Sequence, residues 1–312
     1  MEKPYFSVVV PAKDEEKSIA LLYEEIHKAI KPLNRNFEIV FIDDGSRDTT
    51  FKEIKKLHTK DERVKGLRLR GNNGKSIALQ TGFDNALGEI IFTLDADLQD
   101  DPREIPKLLE KLEEGYDMVS GWKKVRRDPF SKTFPSKIGN FLTRLLTGIK
   151  IHDLNCGFKA YKKEVVKNLR LYGELYKYIP VLAERQNFRV GEVIVKHRPR
   201  KFGQSKFGWE RNIKGFLDML TVIFLTGYLY KPGHFFGTLG LISFFLGFVI
   251  GIYITYLRVT TGSIQYRHPL LFLGMLLMII GVQLVSTGLL AEMLTSFNQK
   301  RSIKNIIEES VS

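Results

Sequence analysis

The first part of the chain alternates short apolar runs with longer segments in which apolar residues recur at helical spacing. Ile19, Leu22 and Ile26 show this spacing and predict an amphipathic helix. Asp48 is placed to cap the second helix, and Gly115 to end the fourth. Five apolar runs are short enough to be strands: FSVVVPA, FEIVFIDDGS, VKGLRLR, EIIFTLDAD and YDMVSGW. This alternation favours an α/β fold, with a mainly parallel sheet that helices cover on both faces.

The chain becomes more apolar after this alternating part. A helix near Glu174–Arg185 and a strand in FRVGEVIVKHRPR complete the first domain, which we predict to span 1–208. The stretch NIKGFLDMLTVIFLTGYLY is apolar on a broad face. We therefore expect 209–232 to form juxtamembrane amphipathic helices that lie in the membrane interface and do not cross it.

Two later segments are long and apolar enough to cross a membrane. Phe235–Leu257 and Leu270–Glu292 each approach the ~20 apolar residues that a crossing requires. They predict a two-helix transmembrane hairpin over 233–294, followed by a tail at 295–312. An even number of crossings returns this tail, with Lys300 and its basic neighbours, to the side of the first domain. The N-terminal sequence does not resemble a signal peptide. We therefore expect the first domain and both termini to be cytoplasmic, at the cell membrane.

Basic residues outnumber acidic ones. The 312 residues include 48 Lys and Arg against 35 Asp and Glu, a formal net charge of +13. This charge indicates an anionic partner, and with membrane crossings present a lipid surface or a phosphorylated substrate is favoured over nucleic acid. The chain contains no recognisable nucleic-acid-binding motif. Cys156 is the only cysteine, so no intrachain disulfide can form and a reducing compartment fits.

Acidic residues follow two of the predicted strands. Asp95, Asp97 and Gln99 alternate after EIIFTL, which places their side chains on one side of the chain. Carboxylate and amide oxygens suit Mg²⁺ or Mn²⁺, and parallel sheets bind ligands beyond the carboxyl ends of their strands. The second strand ends in Asp43 and Asp44, whose carboxylates can accept hydrogen bonds from a base or a ribose hydroxyl. A solvated strand end and an ordinary turn are the alternatives.

A glycine-rich turn, GNNGKS at Gly71–Ser76, resembles a nucleotide P-loop only in part. The P-loop pattern requires glycine at the position that Leu69 occupies, so that assignment is excluded. The turn can still begin a helix beside a phosphate or a sugar, and Lys75 is then a donor ligand. A plain turn is the alternative.

Two basic segments come after the fifth strand and before the apolar helices. The first contains Lys123, Arg126 and Lys137, which suit a phosphorylated acceptor, although a solvated face is the alternative. The second, Arg198–Gly208, can close over a diphosphate or bind lipid head groups.

His152 and Asp153 are adjacent and could form a catalytic His–Asp pair. However, the sequence places no serine or cysteine nucleophile for such a pair to activate. Cys156 is close, but a lone cysteine is more often a small buried residue.

Five stretches of the chain, in their order and spacing, resemble the inverting family-two glycosyltransferases. These stretches are VVVPAKDE, FIDDGSRD, LDADLQDDP, NCGFKAYKKEVV and HRPRKFGQSKFG. Within the family, the chain looks like the dolichyl-phosphate mannose synthase and bactoprenol glucosyltransferase group. The resemblance covers nearly the whole chain and implies a Rossmann-like GT-A fold, a nucleotide-sugar donor and a polyprenyl phosphate acceptor. Glutamines of this chain do not begin the Q-x-x-R-W pattern of processive polysaccharide synthases, which argues against processive synthesis.

The resemblance also implies roles for individual residues. Metal, Mg²⁺ or Mn²⁺, would bind Asp95, Asp97 and Gln99, and the catalytic residues would be Asp95, Asp97, Asp153 and Arg200. The acceptor phosphate would contact Lys123, Arg126, Ser136 and Lys137; at Lys123 and Lys137 relatives often have arginine. The nucleotide sugar would contact residues from both strand ends, the glycine-rich turn and the second basic segment: Pro11, Ala12, Glu15, Asp43, Asp44, Lys75, Asp95, Ser205 and Lys206.

The implied reaction is one inverting displacement of a hexose from a donor such as GDP-mannose or UDP-glucose to dolichyl or undecaprenyl phosphate. The acceptor phosphate is already a nucleophile near neutral pH, because its second pKa is about 6. We expect Arg200–Lys206 to close over the donor diphosphate as negative charge develops there. The alternatives are a transferase that acts on a glycan or another membrane acceptor, and a catalytically silent membrane scaffold. The sequence is also compatible with a homo-oligomer.

Overall fold

The computed structural model describes the following residues: 3–124, 148–199, 232–264 and 266–299. By its internal contacts, the chain forms two compact units, Met1–Ile223 and Phe224–Ser312. The described part of the first unit contains a seven-stranded sheet, and that of the second contains two long helices.

The sheet of the first unit has the strand order β3-β2-β1-β4-β6-β5-β7. The strands are β1 (Phe6–Ala12), β2 (Phe37–Asp43), β3 (Val64–Arg68), β4 (Ile90–Thr93), β5 (Met118–Trp122), β6 (Lys159–Lys162) and β7 (Val190–Ile194). Among these strands β6 is antiparallel to both of its neighbours, and every other pair is parallel. The prediction of a mainly parallel sheet is therefore confirmed.

Six helices accompany these strands in the described part of the first unit. They are α1 (Ile19–Ile30), α2 (Thr50–Lys60), α3 (Lys75–Asn85), α4 (Ile105–Glu113), α5 (Lys163–Asn168) and α6 (Ile179–Arg185). Single 3₁₀ turns lie at Lys31–Leu33, Pro102–Glu104 and Leu175–Tyr178. The last of these replaces the first turn of the helix that we predicted near Glu174–Arg185.

Helices cover both faces of the sheet, as predicted. The buried residues of α1, among them Ile19, Leu22 and Ile26, join the apolar cluster on one face. On the other face, α3 approaches so closely that a Cβ added at Gly82 would lie 2.3 Å from Val9 Cγ1. All seven residues of β2 are buried, which fits a central strand that is covered on both sides.

The predicted helix ends are nearly right. Asp48 accepts a hydrogen bond from the Thr50 backbone nitrogen at 2.9 Å, so its carboxylate lies at the start of α2 one residue before the capping position. Gly115 follows α4 with a φ of +96°, a left-handed conformation that glycine adopts at little cost.

Strand β6 was not predicted from the sequence. It is four residues long and lies between β4 and β5, where Lys159 pairs with Thr93. Because β6 runs against β4, its first residues reach the edge of the sheet at which β4 ends. This reversal brings the NCGF segment next to the acidic residues after β4.

The described part of the second unit consists of α7 (Pro232–Thr261) and α8 (His268–Gln299). Gly233–Thr261 and His268–Leu294 are long and apolar enough to cross a membrane, with mean hydropathy of 2.2 and 2.3. Both predicted crossings lie inside these helices. Helix α8 continues to Gln299, into the predicted tail, while 209–231 and the residues after 299 lie outside the described residues.

Glycines form the seam between α7 and α8. Gly240 and Gly247 of α7 face Gly281 and Gly274 of α8. A Cβ added at Gly247 would lie 2.5 Å from the Gly274 carbonyl oxygen, and one at Gly240 would lie 2.6 Å from that of Gly281. Small residues at such positions let two apolar helices approach closely where larger side chains would separate them.

Two polar contacts reinforce this seam. The Gly233 backbone nitrogen donates to Glu292 Oε2 at 2.8 Å, so an acid of α8 lies at the N-terminal end of α7. The positive end of the helix dipole favours an anion there. Ser243 Oγ donates across the seam to the Leu277 carbonyl oxygen at 2.9 Å.

We predict that Gly247→Ala destabilises the hairpin by roughly 1–3 kcal/mol, because the added methyl meets backbone that must move apart. Gly251→Ala is the matched control, since it lies one turn further along α7 and a Cβ there meets nothing within 4 Å. This control should leave the hairpin as stable or slightly more stable, because alanine favours helix. Thermal loss of helical circular dichroism in detergent measures both variants. Equal midpoints for the two variants would contradict the glycine seam.

Candidate active site

The acidic turn after β4, Asp95–Asp101, continues the alternation of the strand although β4 ends at Thr93. Leu94, Ala96 and Leu98 are buried, while Asp95, Asp97 and Gln99 are partly exposed. The three polar side chains therefore leave the sheet edge on the side away from the apolar cluster. Leu98 has a φ of +62°, which is unusual for a residue other than glycine.

Asp95 lies beside a lysine from another segment. The Nζ of Lys75, the first residue of α3, donates to Asp95 Oδ1. The same ammonium lies 5.1 Å from the centroid of the Tyr176 ring. Burial opposes the charged form of Lys75, but the attraction of Asp95 raises its pKa above the ordinary value. The carboxylate of Asp95 is still about one-third exposed, at 32%.

The charge of Asp95 is stabilised by three lysines. Burial alone would raise its pKa, but the positive charges of Lys75, Lys123 and Lys159, together with the hydrogen bond from Lys75, hold the pKa below its ordinary value. Asp95 is therefore ionised at neutral pH and available to bind a cation or to repel an anion. The place of Lys159 in the site was not predicted, because nothing in the sequence indicated that β6 would bring it to this edge.

The position of the Asp95 carboxylate also depends on Gly157, which has no side chain to displace it. A Cβ added at Gly157 would lie 2.6 Å from Asp95 Oδ2 and 2.7 Å from its Cγ. The peptide of Gly157 is fixed by Thr93 Oγ1, which donates to the Gly157 carbonyl oxygen at 2.8 Å. The carboxylate of Asp95 thus lies directly over a position where only glycine fits. The NCGF motif contains Gly157, but the sequence alone did not indicate that this glycine lies against Asp95.

Lys123, at the end of β5, points to the same turn. Its Nζ lies 2.7 Å from Oδ1 of the fully buried Asp100. Burial disfavours the lysine cation, but the attraction of Asp100 raises the pKa of Lys123 above its ordinary value. Lys123, which is predicted to bind the acceptor phosphate, therefore also neutralises the charge of Asp100. No role was predicted for Asp100.

The loop before β6 holds Asp153 close to Lys123. Asp153 is buried, and its carboxylate accepts from the backbone nitrogens of Lys123 at 3.4 Å and Asn155 at 3.2 Å. Glu192 Oε1 accepts from the Asp153 backbone nitrogen at 3.0 Å and from that of His152 at 2.9 Å. The His152 ring also contacts Glu192, with Nδ1 2.7 Å from Oε2. Glu192, rather than a catalytic nucleophile, is thus the partner of the His–Asp pair.

Cys156 in this loop is not placed for nucleophilic chemistry. Its thiol is buried, and that burial raises its pKa to about 12. The structure agrees with the interpretation of Cys156 as a small buried residue.

The two acids at the end of β2 bind the protein's own backbone. Asp43 is fully buried; its Oδ1 accepts from Ser46 nitrogen at 2.9 Å, and Arg68 Nε lies 3.1 Å from its Oδ2. Asp44 accepts from the backbone nitrogens of Asn73 and Gly74 at 2.7 and 3.0 Å. Asp43 thus fixes the Asp-Gly turn itself, and Asp44 ties that turn to the glycine-rich turn that leads into α3.

The end of β1 completes this edge of the sheet. Ala12 pairs with Asp43, and its carbonyl oxygen accepts from Asp44 nitrogen at 2.9 Å. Pro11, the residue before it, is partly exposed. Glu15 Oε2 accepts from Ser18 Oγ at 2.9 Å. The predicted donor ligands of β1, β2 and the glycine-rich turn therefore lie together in the first unit.

Comparison with known proteins adds to this geometry. The model of the family described as "Glycosyl transferase family 2" matches residues 7–170, which include β1 except its first residue, β2 to β6 and the acidic turn. The chain belongs to glycosyl transferase family 2. It is a glycosyltransferase.

Two relatives of this glycosyltransferase match almost its whole length. A dodecaprenyl-phosphate galacturonate synthase of Rhizobium johnstonii is 36% identical over 293 residues, covering 92% of this chain and 87% of the relative. An undecaprenyl-phosphate 4-deoxy-4-formamido-L-arabinose transferase of Shewanella sediminis is 35% identical over 292 residues, covering 92% of this chain and 86% of the relative.

The glycosyltransferase also resembles solved structures. Glucosyl-3-phosphoglycerate synthase from Mycobacterium tuberculosis, in complex with Mn²⁺, uridine diphosphate and phosphoglyceric acid, matches with a TM-score of 0.56 and 19% identity. The match covers 72% of this chain and 78% of that chain. At this identity the likeness establishes the fold, and the predicted GT-A fold is confirmed.

Six of the predicted site residues of the glycosyltransferase lie outside the described residues. They are Arg126, Ser136, Lys137, Arg200, Ser205 and Lys206. The described site residues divide into the acidic turn with its lysines and the edge formed by β1, β2 and the glycine-rich turn.

A divalent metal is compatible with the acidic turn. Within the described residues, no group of three His, Cys, Asp or Glu side chains is arranged to hold a metal ion. An ion that keeps positions open for phosphate oxygens needs only one or two carboxylates, however. Asp95 and Asp97 provide two partly exposed ones, and the Lys75 ammonium on Asp95 shows that a cation is stable at this point. Gln99 Nε2 is directed to the Arg198 carbonyl oxygen at 3.5 Å; this bond does not involve Oε1, the atom through which Gln99 is predicted to bind the metal.

We predict that Gly157→Ala lowers the affinity for Mn²⁺ and the turnover roughly 10- to 100-fold, because its methyl displaces the Asp95 carboxylate. Gly66→Ala on the edge strand β3 is the matched control, since a Cβ there would also lie 2.6 Å from a neighbouring atom, Ile54 Cγ2, and the atoms nearest to it belong to α2. Both variants should lose stability, and only Gly157→Ala should lose Mn²⁺ binding, measured by electron paramagnetic resonance. Equal Mn²⁺ affinity in the two folded variants would show that Gly157 does not position Asp95.

Proposed function

We propose that this glycosyltransferase transfers a sugar from a nucleotide sugar to a polyprenyl phosphate, with a divalent metal and with inversion at the anomeric carbon. The observation that carries the proposal is that relatives named for prenyl-phosphate acceptors align with 92% of the chain. That alignment extends well beyond the family-2 segment at 7–170. It therefore includes much of the apolar hairpin, which a soluble acceptor would not require.

The acidic turn supports a donor site for the sugar diphosphate. Asp95 and Asp97 would hold Mg²⁺ or Mn²⁺, which when bound neutralises charge that develops on the leaving diphosphate. Lys75 has an ammonium close enough to Asp95 to act on the same phosphates once its carboxylate partner is engaged elsewhere. Asp43 and Asp44 shape the nucleotide end of the site through the backbone that they fix, which supports a nucleotide contact there.

Lys123 supports an acceptor site next to the donor site. Its ammonium lies within the cluster that includes Asp95 and Asp100, and the chain continues from it into the basic stretch that contains Arg126 and Lys137. The acceptor phosphate needs no strong base, because it is mostly ionised near neutral pH. We assign these lysines and the arginine to binding the phosphate and guiding it toward the anomeric carbon, with Asp153 held close by. From the sequence alone, we also propose that the donor contacts Arg200, Ser205 and Lys206.

The hairpin supports a membrane location. Two crossings return the chain to its starting side, and basic residues after α8, at Lys300, Arg301 and Lys304, favour the cytoplasm. We place the catalytic unit and both termini there, where nucleotide sugars are made. A cysteine introduced at Ser263, between the two crossings, tests this orientation: it should react with a membrane-impermeant thiol reagent added to intact cells, whereas the buried Cys156 of the wild type should not. Labelling of Ser263→Cys only after the cells are opened would contradict it.

Transfer of label to extractable lipid tests the proposed reaction. Purified protein with Mg²⁺ or Mn²⁺ and a polyprenyl phosphate is offered GDP-mannose, UDP-glucose and nucleotide-activated galacturonate or 4-deoxy-4-formamido-L-arabinose. We expect one donor to give a lipid product that is lost on chelation of the metal. Label that appears only in glycan would favour another acceptor, and lack of transfer from every donor would favour a silent scaffold.

We predict that Asp97→Asn lowers transfer roughly 100-fold or more while folding is kept, because the amide removes the negative charge that a metal requires. Asp84→Asn on the exposed part of α3 is the control and should transfer at the wild-type rate. Initial rates with the best donor measure both variants. Metal-dependent transfer by Asp97→Asn near the wild-type rate would remove Asp97 from the metal site.

A further inference from the structure

The acidic turn is held in a conformation that its own residues do not favour. Leu98 lies between the two carboxylates and Gln99 with a φ of +62°, and its side chain is fully buried. Left-handed backbone at a bulky residue persists only where surrounding contacts enforce it. The contacts that enforce it here must also fix where the carboxylates of Asp95 and Asp97 point.

The segment His197–Arg198, which follows β7, supplies these contacts. After β7 the chain crosses to the turn, where His197 forms an antiparallel bridge with Asp100. The Arg198 backbone nitrogen donates to the Gln99 carbonyl oxygen at 2.9 Å. In turn, Gln99 Nε2 donates to the Arg198 carbonyl oxygen at 3.5 Å. The turn is thus paired with His197–Arg198 as if with a neighbouring strand.

The side chain of Arg198 joins this pairing to two other acids. Its Nη2 binds Asp101 Oδ1, and its Nη1 lies 2.6 Å from Glu25 Oε2 on α1. Asp101 is almost fully buried. Burial opposes its ionisation, but hydrogen bonds from Arg103 and the charge of Arg198 hold the pKa of Asp101 below its ordinary value. Arg198 therefore connects α1, the acidic turn and the segment after β7 through one guanidinium.

We propose that Arg198 is a positioning residue, which together with Glu25 and Asp101 holds the turn in the conformation that presents Asp95 and Asp97 to a metal. The proposal rests on the proposed function only in taking those carboxylates as the metal and donor site. Arg198 itself is assigned no contact with substrate. Its planar, two-pronged donor group suits the task, because it can bind two carboxylates at once where a lysine cannot.

Arg103 provides a matched control. It also binds Asp101, with Nη2 2.8 Å from Oδ2, but it comes from the adjoining turn and its side chain is 73% exposed. Loss of Arg103 removes an ion pair from the same acid without disconnecting the turn from α1 or from His197–Arg198. A purely electrostatic effect on Asp101 would therefore appear in both variants, and a positioning effect only when Arg198 is changed.

The first test needs neither metal nor substrate. Hydrogen–deuterium exchange on the metal-free full-length protein in detergent compares wild type with Arg198→Ala and Arg103→Ala. We expect backbone amides in 97–101 to exchange at least about 10-fold faster in Arg198→Ala, and at the wild-type rate in Arg103→Ala. Glu25→Gln is a second variant for the case in which Arg198→Ala does not fold, and it should accelerate the same amides by a smaller factor. Unchanged exchange in both Arg198→Ala and Glu25→Gln would overturn the proposal.

The second test measures the consequence for the site. Mn²⁺ affinity is followed by electron paramagnetic resonance, and transfer is followed as turnover and as the Michaelis constants of donor and acceptor. In Arg198→Ala we expect Mn²⁺ affinity to fall about 10-fold or more, turnover to fall with it, and the acceptor constant to stay unchanged. Arg198→Lys should recover part of the loss. Faster exchange with wild-type Mn²⁺ affinity would mean that Arg198 only stabilises the loop, and would overturn the proposal.

These readouts separate the inference from the proposed reaction. A wild-type protein that binds Mn²⁺ but transfers no sugar to lipid would contradict the proposed function. In that case, the Arg198 variants are still judged by exchange and Mn²⁺ affinity alone.

Discussion

The acidic turn after β4 is stable only because each of its buried or crowded carboxylates has a cation from elsewhere in the chain. Carboxylates this close repel one another, and burying an unpaired one is costly. Asp95 is paired with Lys75 of α3, Asp100 with Lys123 at the end of β5, and Asp101 with Arg198 beyond β7 and with Arg103 nearby. The charge balance of one turn therefore ties together segments that are distant in the sequence.

This balance also explains how one edge of the sheet can serve donor chemistry. Asp95 stays ionised because lysines offset its burial, and the absence of a side chain at Gly157 leaves room for its carboxylate. A divalent metal could take the place of the Lys75 ammonium on the Asp95 carboxylate, and its double positive charge would offset negative charge on a donor diphosphate. In a family 2 glycosyltransferase, such an exchange would place Lys75 and Lys123 around the donor and acceptor phosphates.

Local patterns in the sequence were sufficient for the strands β1 to β5, the helices between them and the two apolar helices, because each has a clear period or length. They did not reveal β6, whose four residues have no distinctive period and whose direction is reversed. Site residues were found where a motif marks a strand end, as with Asp95 and Asp97. The partners of those residues were not found, because Lys75–Asp95, Gly157–Asp95 and Arg198–Asp101 are contacts made by the fold over long separations. For the same reason, the sequence did not predict the bonds that Asp44 accepts from the backbone of Asn73 and Gly74; its contact with the nucleotide stays a prediction.

We propose that Asp95 would bind a metal in place of the Lys75 ammonium when the donor is bound. A structure of the full-length protein with Mn²⁺ and a nucleoside diphosphate, with anomalous scattering recorded for manganese, tests it most directly. We expect an anomalous peak within bonding distance of the Asp95 and Asp97 carboxylates, and a Lys75 ammonium that has moved from Asp95 to the diphosphate. A bound diphosphate with manganese at other residues, and with Lys75 still on Asp95, would contradict it.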